Sequence, residues 1–324
     1  MYGPCVTHSA FTRVHTLRHH VSVPTGSRLY TRGRCAPAGG GAQHDATTLE
    51  LLEKPHASPI RDHVTETRVP SATDLFNKVP AVTLVFWIIK ILATTVGETA
   101  ADVLSTTFHL GLVITSYVMG AALIVALILQ IRAKRYVPTL YWIAVVFISV
   151  VGTLISDNLV ENLGVSLMTT TVLFSAALIG VFVWWYASER TLSVHTIDTR
   201  RRELFYWGAI LFTFSLGTSG GDLLSERLGL GYTVALGLFA LGIAVVFALY
   251  RFHVINGVLA FWSAYILTRP LGASAGDLLT QPATEGGLGL GRLAVSTVIL
   301  VIVVALVVYL SAEERKHPPS PVAT

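Results

Sequence analysis

Asp102, Asp157, Asp222 and Asp277 each stand fifteen residues after a tryptophan, inside otherwise apolar stretches of sequence. Carboxylates repeated in such a setting suit one chemistry above others, oxygen ligation or proton relay for a small cation. A glycine stands between each tryptophan and its aspartate at a constant interval, giving Trp87, Gly97, Asp102; Trp142, Gly152, Asp157; Trp207, Gly217, Asp222; and Trp262, Gly272, Asp277. No gap is needed to align the four sets. Steps of four residues trace a slowly turning stripe along a helix. On that stripe the first set adds Lys90, Thr94 and Glu98, the second Ser149, Thr153 and Glu161, the third Thr218 and Glu226, and the fourth Arg269. Glu98 is thus an accessory acid one turn before Asp102, with Lys90 and Arg269 as counter-charges. An ionised group at bilayer depth costs from about 2.5 to more than about 10 kcal/mol. These faces are therefore expected to turn into a bundle.

The elements that must hold them follow from composition. Hydrophobic residues make up 52% of the 324-residue chain and charged ones only 13%, against roughly 25% charged in an ordinary soluble domain. A helix needs about 20 apolar residues to cross the hydrocarbon core. Leu110 to Ile131, Ser166 to Ala187, Gly231 to Tyr250 and Leu293 to Ser311 meet that without a formal charge. They alternate with spans of similar length that carry the stripe, roughly Val79 to Leu104, Val137 to Leu159, Leu204 to Leu224 and Val254 to Leu279. The expected fold is all-α: a polytopic membrane bundle of about eight transmembrane helices built from four parallel two-helix repeats. The boundaries are repeat 1 at 79–135, repeat 2 at 136–203, repeat 3 at 204–253 and repeat 4 at 254–314. The longer spacing between the second and third tryptophans suggests two halves of four helices each.

Residues 1–78 are polar and lack hydrophobic periodicity, so a disordered cytoplasmic tail is expected there, with a second short tail at 315–324. The two cysteines, Cys5 and Cys35, both lie in the first tail, which leaves no thiol for a disulfide or metal site in the membrane part. Basic residues set the orientation. Arg132, Lys134, Arg135, Arg190, Arg200, Arg201, Arg202, Arg251, Arg315 and Lys316 fall on the side of the N-terminus, against Arg227 and Arg292 on the other. Both termini are expected in the cytoplasm. Scattered loop cations do not make the basic face of a nucleic-acid binder. No metalloprotease helix motif, phosphate-binding loop or nucleophile elbow is present, so neither an enzyme nor a cofactor is expected.

With its four tandem two-helix units, each carrying a characteristic tryptophan at Trp87, Trp142, Trp207 or Trp262, the chain resembles bacterial multi-pass membrane proteins with four copies of a repeat of unknown function, the uncharacterised membrane-anchored proteins. The resemblance spans about Lys78 to Lys316 and implies a bacterial plasma (inner) membrane location, with lipid as the surrounding partner. It implies no activity.

From the residues themselves, the leading expectation is a secondary transporter or exporter of a small cation, a divalent metal or a proton. Asp102, Asp157, Asp222, Asp277 and Glu98 would form its path. The alternative is a non-transporting membrane scaffold or regulator, in which each aspartate caps a helix or ties a turn. Gly97, Gly152, Gly217 and Gly272 suit close helix packing or local unwinding. Pro270 is the best place for a broken helix. The tryptophans read as interfacial anchors. Asp102 is expected to be the most sensitive acid, because Glu98 is one turn away, and Asp277 the least, because Arg269 two turns earlier would hold it.

Overall fold

The computed structural model describes residues 78–316. Both expected tails lie outside the described residues, except that Arg315 and Lys316 belong to the last helix and Lys78 is buried in the bundle. Lys78 Nζ pairs with Glu203 at 2.7 Å and donates to the Ile131 carbonyl at 3.0 Å, which ties the approach to the first helix to two later elements.

Eight long helices and no strand are found among the described residues: α1 (Leu84–Asp102), α2 (Gly111–Arg132), α3 (Pro138–Asp157), α4 (Leu167–Glu189), α5 (Arg200–Asp222), α6 (Tyr232–Arg251), α7 (Gly257–Thr280) and α8 (Arg292–Lys316). Their starts are written locally. Thr83, Ser166, Thr199 and Asn256 each accept a hydrogen bond from a backbone N–H three residues on, at Phe86, Thr169, Arg202 and Leu259, the usual satisfaction of orphan donors at a helix start. Pro138 opens α3, where its missing N–H costs nothing. Six helices, all but α5 and α7, are long and apolar enough to cross a membrane. The two exceptions carry Arg200 to Glu203 and Arg269 with Asp277.

The odd-numbered helices form the inside. α1 packs on α3, α3 on α5, α5 on α7, and α7 back on α1, so four inner helices close a ring. Each even-numbered helix sits outside and packs chiefly on the inner helix that follows it, α2 on α3, α4 on α5 and α6 on α7. α8 completes the pattern by packing on α1. This differs from the expected two halves, because the α3–α5 junction is built like the others and the last helix closes on the first. The outer helices turn large apolar side chains outward, among them Ile114, Val125, Leu173, Val183, Phe247, Val301 and Val308. That is the surface a bilayer covers.

The glycines explain how the ring closes. With each tryptophan as position 0, the glycine at +10 of one inner helix abuts the residue at +7 of the next. Gly97 meets Ser149, Gly152 meets Phe214, Gly217 meets Arg269, and Gly272 meets Thr94. A Cβ on any of them would run into that neighbour, so the absence of a side chain sets the inter-helix distance. All four glycines lie inside continuous helix, which makes packing their role and not unwinding. The same register meeting around the ring also makes the four inner helices parallel.

α7 runs unbroken through Pro270, contrary to the expected break. The proline ring lies 3.0 Å from where a Gly217 Cβ would stand and 3.7 Å from that of Gly221. These two glycines on α5 leave room for a ring that would otherwise push the helices apart.

Candidate functional site: an acid ring above a buried arginine

Three levels of inward-facing residues follow one another along the ring axis. At the tryptophan end lies an aromatic belt. Each tryptophan is preceded by a second aromatic residue, Phe86, Tyr141, Tyr206 or Phe261. Each of these rings meets the tryptophan of the next inner helix: Phe86 and Trp142 at 5.6 Å, Tyr141 and Trp207 at 5.6 Å, Tyr206 and Trp262 at 6.1 Å, and Phe261 and Trp87 at 5.7 Å. The Tyr141 and Tyr206 hydroxyls share a hydrogen bond of 2.6 Å. This corrects the reading of the tryptophans as anchors at the lipid interface. Trp142, Trp207 and Trp262 are buried, and Trp87 is half-buried. An anchor needs one face toward lipid headgroups, whereas these rings close the end of the axis.

The middle level holds the two counter-charges. Arg269 is fully buried (0% exposed). Its Nη2 donates to Glu98 Oε2 at 2.9 Å, to Thr218 Oγ1 at 2.7 Å and to the Thr153 hydroxyl. Thr153 and Thr218 stand at +11 of their helices, the position Glu98 holds in the first. One nitrogen from α7 thus gathers the +11 oxygens of the other three inner helices. The guanidinium carbon lies 5.4 Å from the centre of the Phe214 ring. Arg269 therefore pairs with Glu98 and not with Asp277, as the sequence had suggested. The reason is geometric, because +7 of one helix faces +10 and +11 of its neighbours around the ring and is a full level below +15 of its own helix. Lys90, also 0% exposed, forms no ion pair among the described residues. It donates to the Thr268 hydroxyl at 2.8 Å and the Tyr265 carbonyl at 3.2 Å, and lies 4.1 Å from the Tyr265 ring centre.

The third level is the acid ring at +15. Asp157, Asp222 and Asp277 lie within electrostatic range of Glu98 and of at least one other ring aspartate each, Asp157 of Asp102, Asp222 of Asp157, and Asp277 of both Asp222 and Asp102. None of these three side chains makes a hydrogen bond or ion pair among the described residues. Asp277 is the extreme case, 6% exposed, its carboxyl group without a partner among the described residues. Asp102 is held differently. Arg292 at the start of α8 reaches its Oδ2 at 3.2 Å, together with Thr106 Oγ1 at 3.2 Å and Gln281 Oε1 at 3.1 Å. Among the described residues no aspartate side chain caps a helix end: α1, α3 and α5 instead continue directly into five-residue π-helical turns, Val103–Thr107, Asn158–Asn162 and Leu223–Arg227. Wide turns of this kind are frequent at functional positions.

The rim beyond the ring is uneven. Exposed Glu161 and Glu226 stand on the second and third repeats, with Tyr232 donating to Glu226 Oε1 at 3.2 Å. Arg292 neutralises the seam between the fourth repeat and the first. Among the described residues no three His, Cys, Asp or Glu side chains approach closely enough to hold a metal ion together.

Three contributors escaped the spacing of tryptophan, glycine and aspartate. The aromatic residue before every tryptophan is plain in the sequence once the sets are aligned. Thr153 and Thr218 were on the stripe but carried no charge to mark them. Arg292 counted only as a loop cation.

Four tandem matches to the family described as Repeat of Unknown Function (DUF347) fall at residues 85–136, 140–191, 205–254 and 260–316. Together they cover more than half of the chain. The chain belongs to that family. In this DUF347 protein each match spans one inner helix and the outer helix after it. The unit that is repeated therefore contributes one wall of the ring and the outer helix that buttresses the next wall. Neither a curated protein nor a solved structure matches the chain.

Proposed function

We propose that this protein carries a small cation across the membrane along the axis of the inner ring, entering from the acid ring. The observation that carries this reading is Asp277, a carboxylate more than nine-tenths buried, without a partner, and set among three further aspartates on the same level. An intramembrane acid that is not spent on a structural pair is the usual mark of an ion or proton pathway. All eight helices cross the bilayer in this reading, α5 and α7 included: Arg269 and Asp277 of α7 and Asp222 of α5 turn into the ring, and Arg200 to Glu203 lie in the first turn of α5, where Arg202 pairs with Glu189 and Asp198, and Glu203 with Lys78. The acid ring then opens on the outer side, both termini lie in the cytoplasm, and the aromatic belt closes the inner end. The chain does no covalent chemistry.

The experiment is uptake into proteoliposomes by the purified protein over a panel of protons, monovalent ions and divalent ions. Flux of one class above that of empty vesicles is the expected result. A protein that inserts and moves no ion of the panel returns the scaffold reading, which one observation favours: Arg269 and the aromatic belt both occupy the axis in this state.

Orientation has its own test. His195 is exposed in the segment between α4 and α5, and Leu163 is exposed at the opposite end of the bundle. In a background without Cys5 and Cys35, a cysteine replacing Leu163 should react with a membrane-impermeant reagent added outside intact cells. One replacing His195 should react only after the membrane is opened. The reverse pattern would invert the topology.

A further inference from the structure

The three oxygens gathered by Arg269 raise the question of what else fits them. Glu98 Oε2, Thr153 Oγ1 and Thr218 Oγ1 come from three different helices and converge on one point of the axis, directly below the acid ring. Thr153 lies 3.2 Å from Glu98 Oε2 and 3.4 Å from Thr218 Oγ1, so the triad is compact around its occupant. That occupant is a single Nη2. The other guanidinium nitrogens, Nε and Nη1, are buried without a hydrogen-bond partner. A structural arginine in a low-dielectric interior normally satisfies its whole fork. Arg269 leaves most of its donors unmade and is held at one nitrogen, as a cation seated in a site and not as a guanidinium clamped by a matching frame.

We infer that the Glu98–Thr153–Thr218 triad is a binding site for a small monovalent cation, and that Arg269 is a tethered cation occupying it when no ion is present. The inference rests on the carrier reading above and names its substrate class. One carboxylate and two neutral hydroxyls bring a single negative charge, which balances one positive charge. A divalent ion would keep a net charge buried in hydrocarbon, and hard divalent ions take more anionic oxygen than this level contains. The divalent cargo suggested by a count of acids along the sequence is therefore not the one this level fits. An ion arriving from the acid ring displaces the guanidinium, and Asp157 and Asp222, already within electrostatic range of Arg269, receive it. Wild-type protein then never leaves the triad empty, and the exchange couples ion entry to movement of a side chain on α7.

The test removes the tether. In R269Q the triad is vacant, and the protein should take a monovalent ion from the medium. Thermal unfolding of purified R269Q in detergent should rise by about 4 °C on replacing the bulky N-methylglucamine cation with sodium or potassium at about 100 mM and equal ionic strength. Wild type and R269K should show a much smaller dependence, since the ion must there compete with a tethered cation, and the double variant E98Q/R269Q none, since it lacks the carboxylate. Magnesium should not substitute. Recovery of R269Q only in sodium or potassium would be the same result in stronger form. An equal midpoint in all media, a response equal in the double variant, or loss of R269Q in every medium while R269K is recovered would overturn the site. That failure is separate from failure of the carrier reading, which is read as ion flux in vesicles of the wild-type protein.

Discussion

Glu98→Gln is expected to lower the stability of the purified protein by about 3–5 kcal/mol, the usual effect of stripping the partner from a buried charge. Arg269 is fully buried and has Glu98 as its one carboxylate contact at 2.9 Å, with only hydroxyls besides. The glutamine keeps the volume and can still accept a hydrogen bond, so the loss comes from charge alone. In a chain of this size it corresponds to a fall of about 10 °C in thermal midpoint. Lys90→Met makes the contrast. Lys90 has no carboxylate to leave stranded, and its removal deprives only the Thr268 hydroxyl and the Tyr265 carbonyl of a donor. Adding R269Q to E98Q should recover most of the loss, because the two neutral side chains no longer leave a charge unpaired. A midpoint for E98Q within a degree or two of wild type would mean that Arg269 does not depend on Glu98 and that the middle level is wired otherwise.

The second large effect concerns closure of the ring. Gly152→Ala drives a methyl group into Phe214 Cβ and the backbone behind it, and Gly272→Ala drives one into Thr94 and toward the Ile91 carbonyl. Neither obstacle is the free end of a flexible side chain, so the helices themselves must part. Each substitution should cost about 1–3 kcal/mol, and the pair together should add, since they lie at different junctions. Gly120 and Gly180, on outer helices, have nothing within 4 Å of a Cβ. Alanine there should be neutral or stabilise by up to about 1 kcal/mol through helix propensity. Unfolding midpoints of the four single variants decide the matter. If inner and outer glycines behave alike, the ring contacts are not as close as described.

How much of this could be read from the chain differs by level. The eight helices were legible because apolar runs of membrane length and cap residues such as Thr83, Ser166, Thr199 and Asn256 are local features. The common level of the four aspartates was legible too, since fifteen residues of helix after a tryptophan give the same height in every copy. What could not be read was anything that depends on who stands beside whom. That Arg269 would meet Glu98 requires knowing that α7 closes on α1 and lies beside α5, and no periodicity within α7 contains that fact. For the same reason the pairings behind the expected ranking of the acids differ from those in the structure. Asp102, marked out by its neighbour Glu98, is the one aspartate already held, by Arg292 from α8. Asp277, assigned to Arg269 along its own helix, is left buried with no partner for its carboxyl group among the described residues. The tryptophans failed for a different reason: enrichment at membrane interfaces is a property of tryptophan in general, while the burial of Trp142, Trp207 and Trp262 follows their contacts with Phe86, Tyr141 and Tyr206 of the preceding inner helix.

Transport along the axis requires that the acid ring carry charge for an ion. Asn has nearly the shape and hydrogen-bonding capacity of Asp, and it serves a turn or a cap almost as well, so Asp→Asn isolates the charge. The decisive measurement is ion flux into proteoliposomes containing wild-type protein, D277N, D222N, D157N or D102N at equal, correctly inserted amounts. The account predicts that D277N falls to the level of empty vesicles, D222N and D157N fall strongly, and D102N, whose charge is already answered by Arg292, retains the most. Wild-type flux left unchanged by all four substitutions would contradict it.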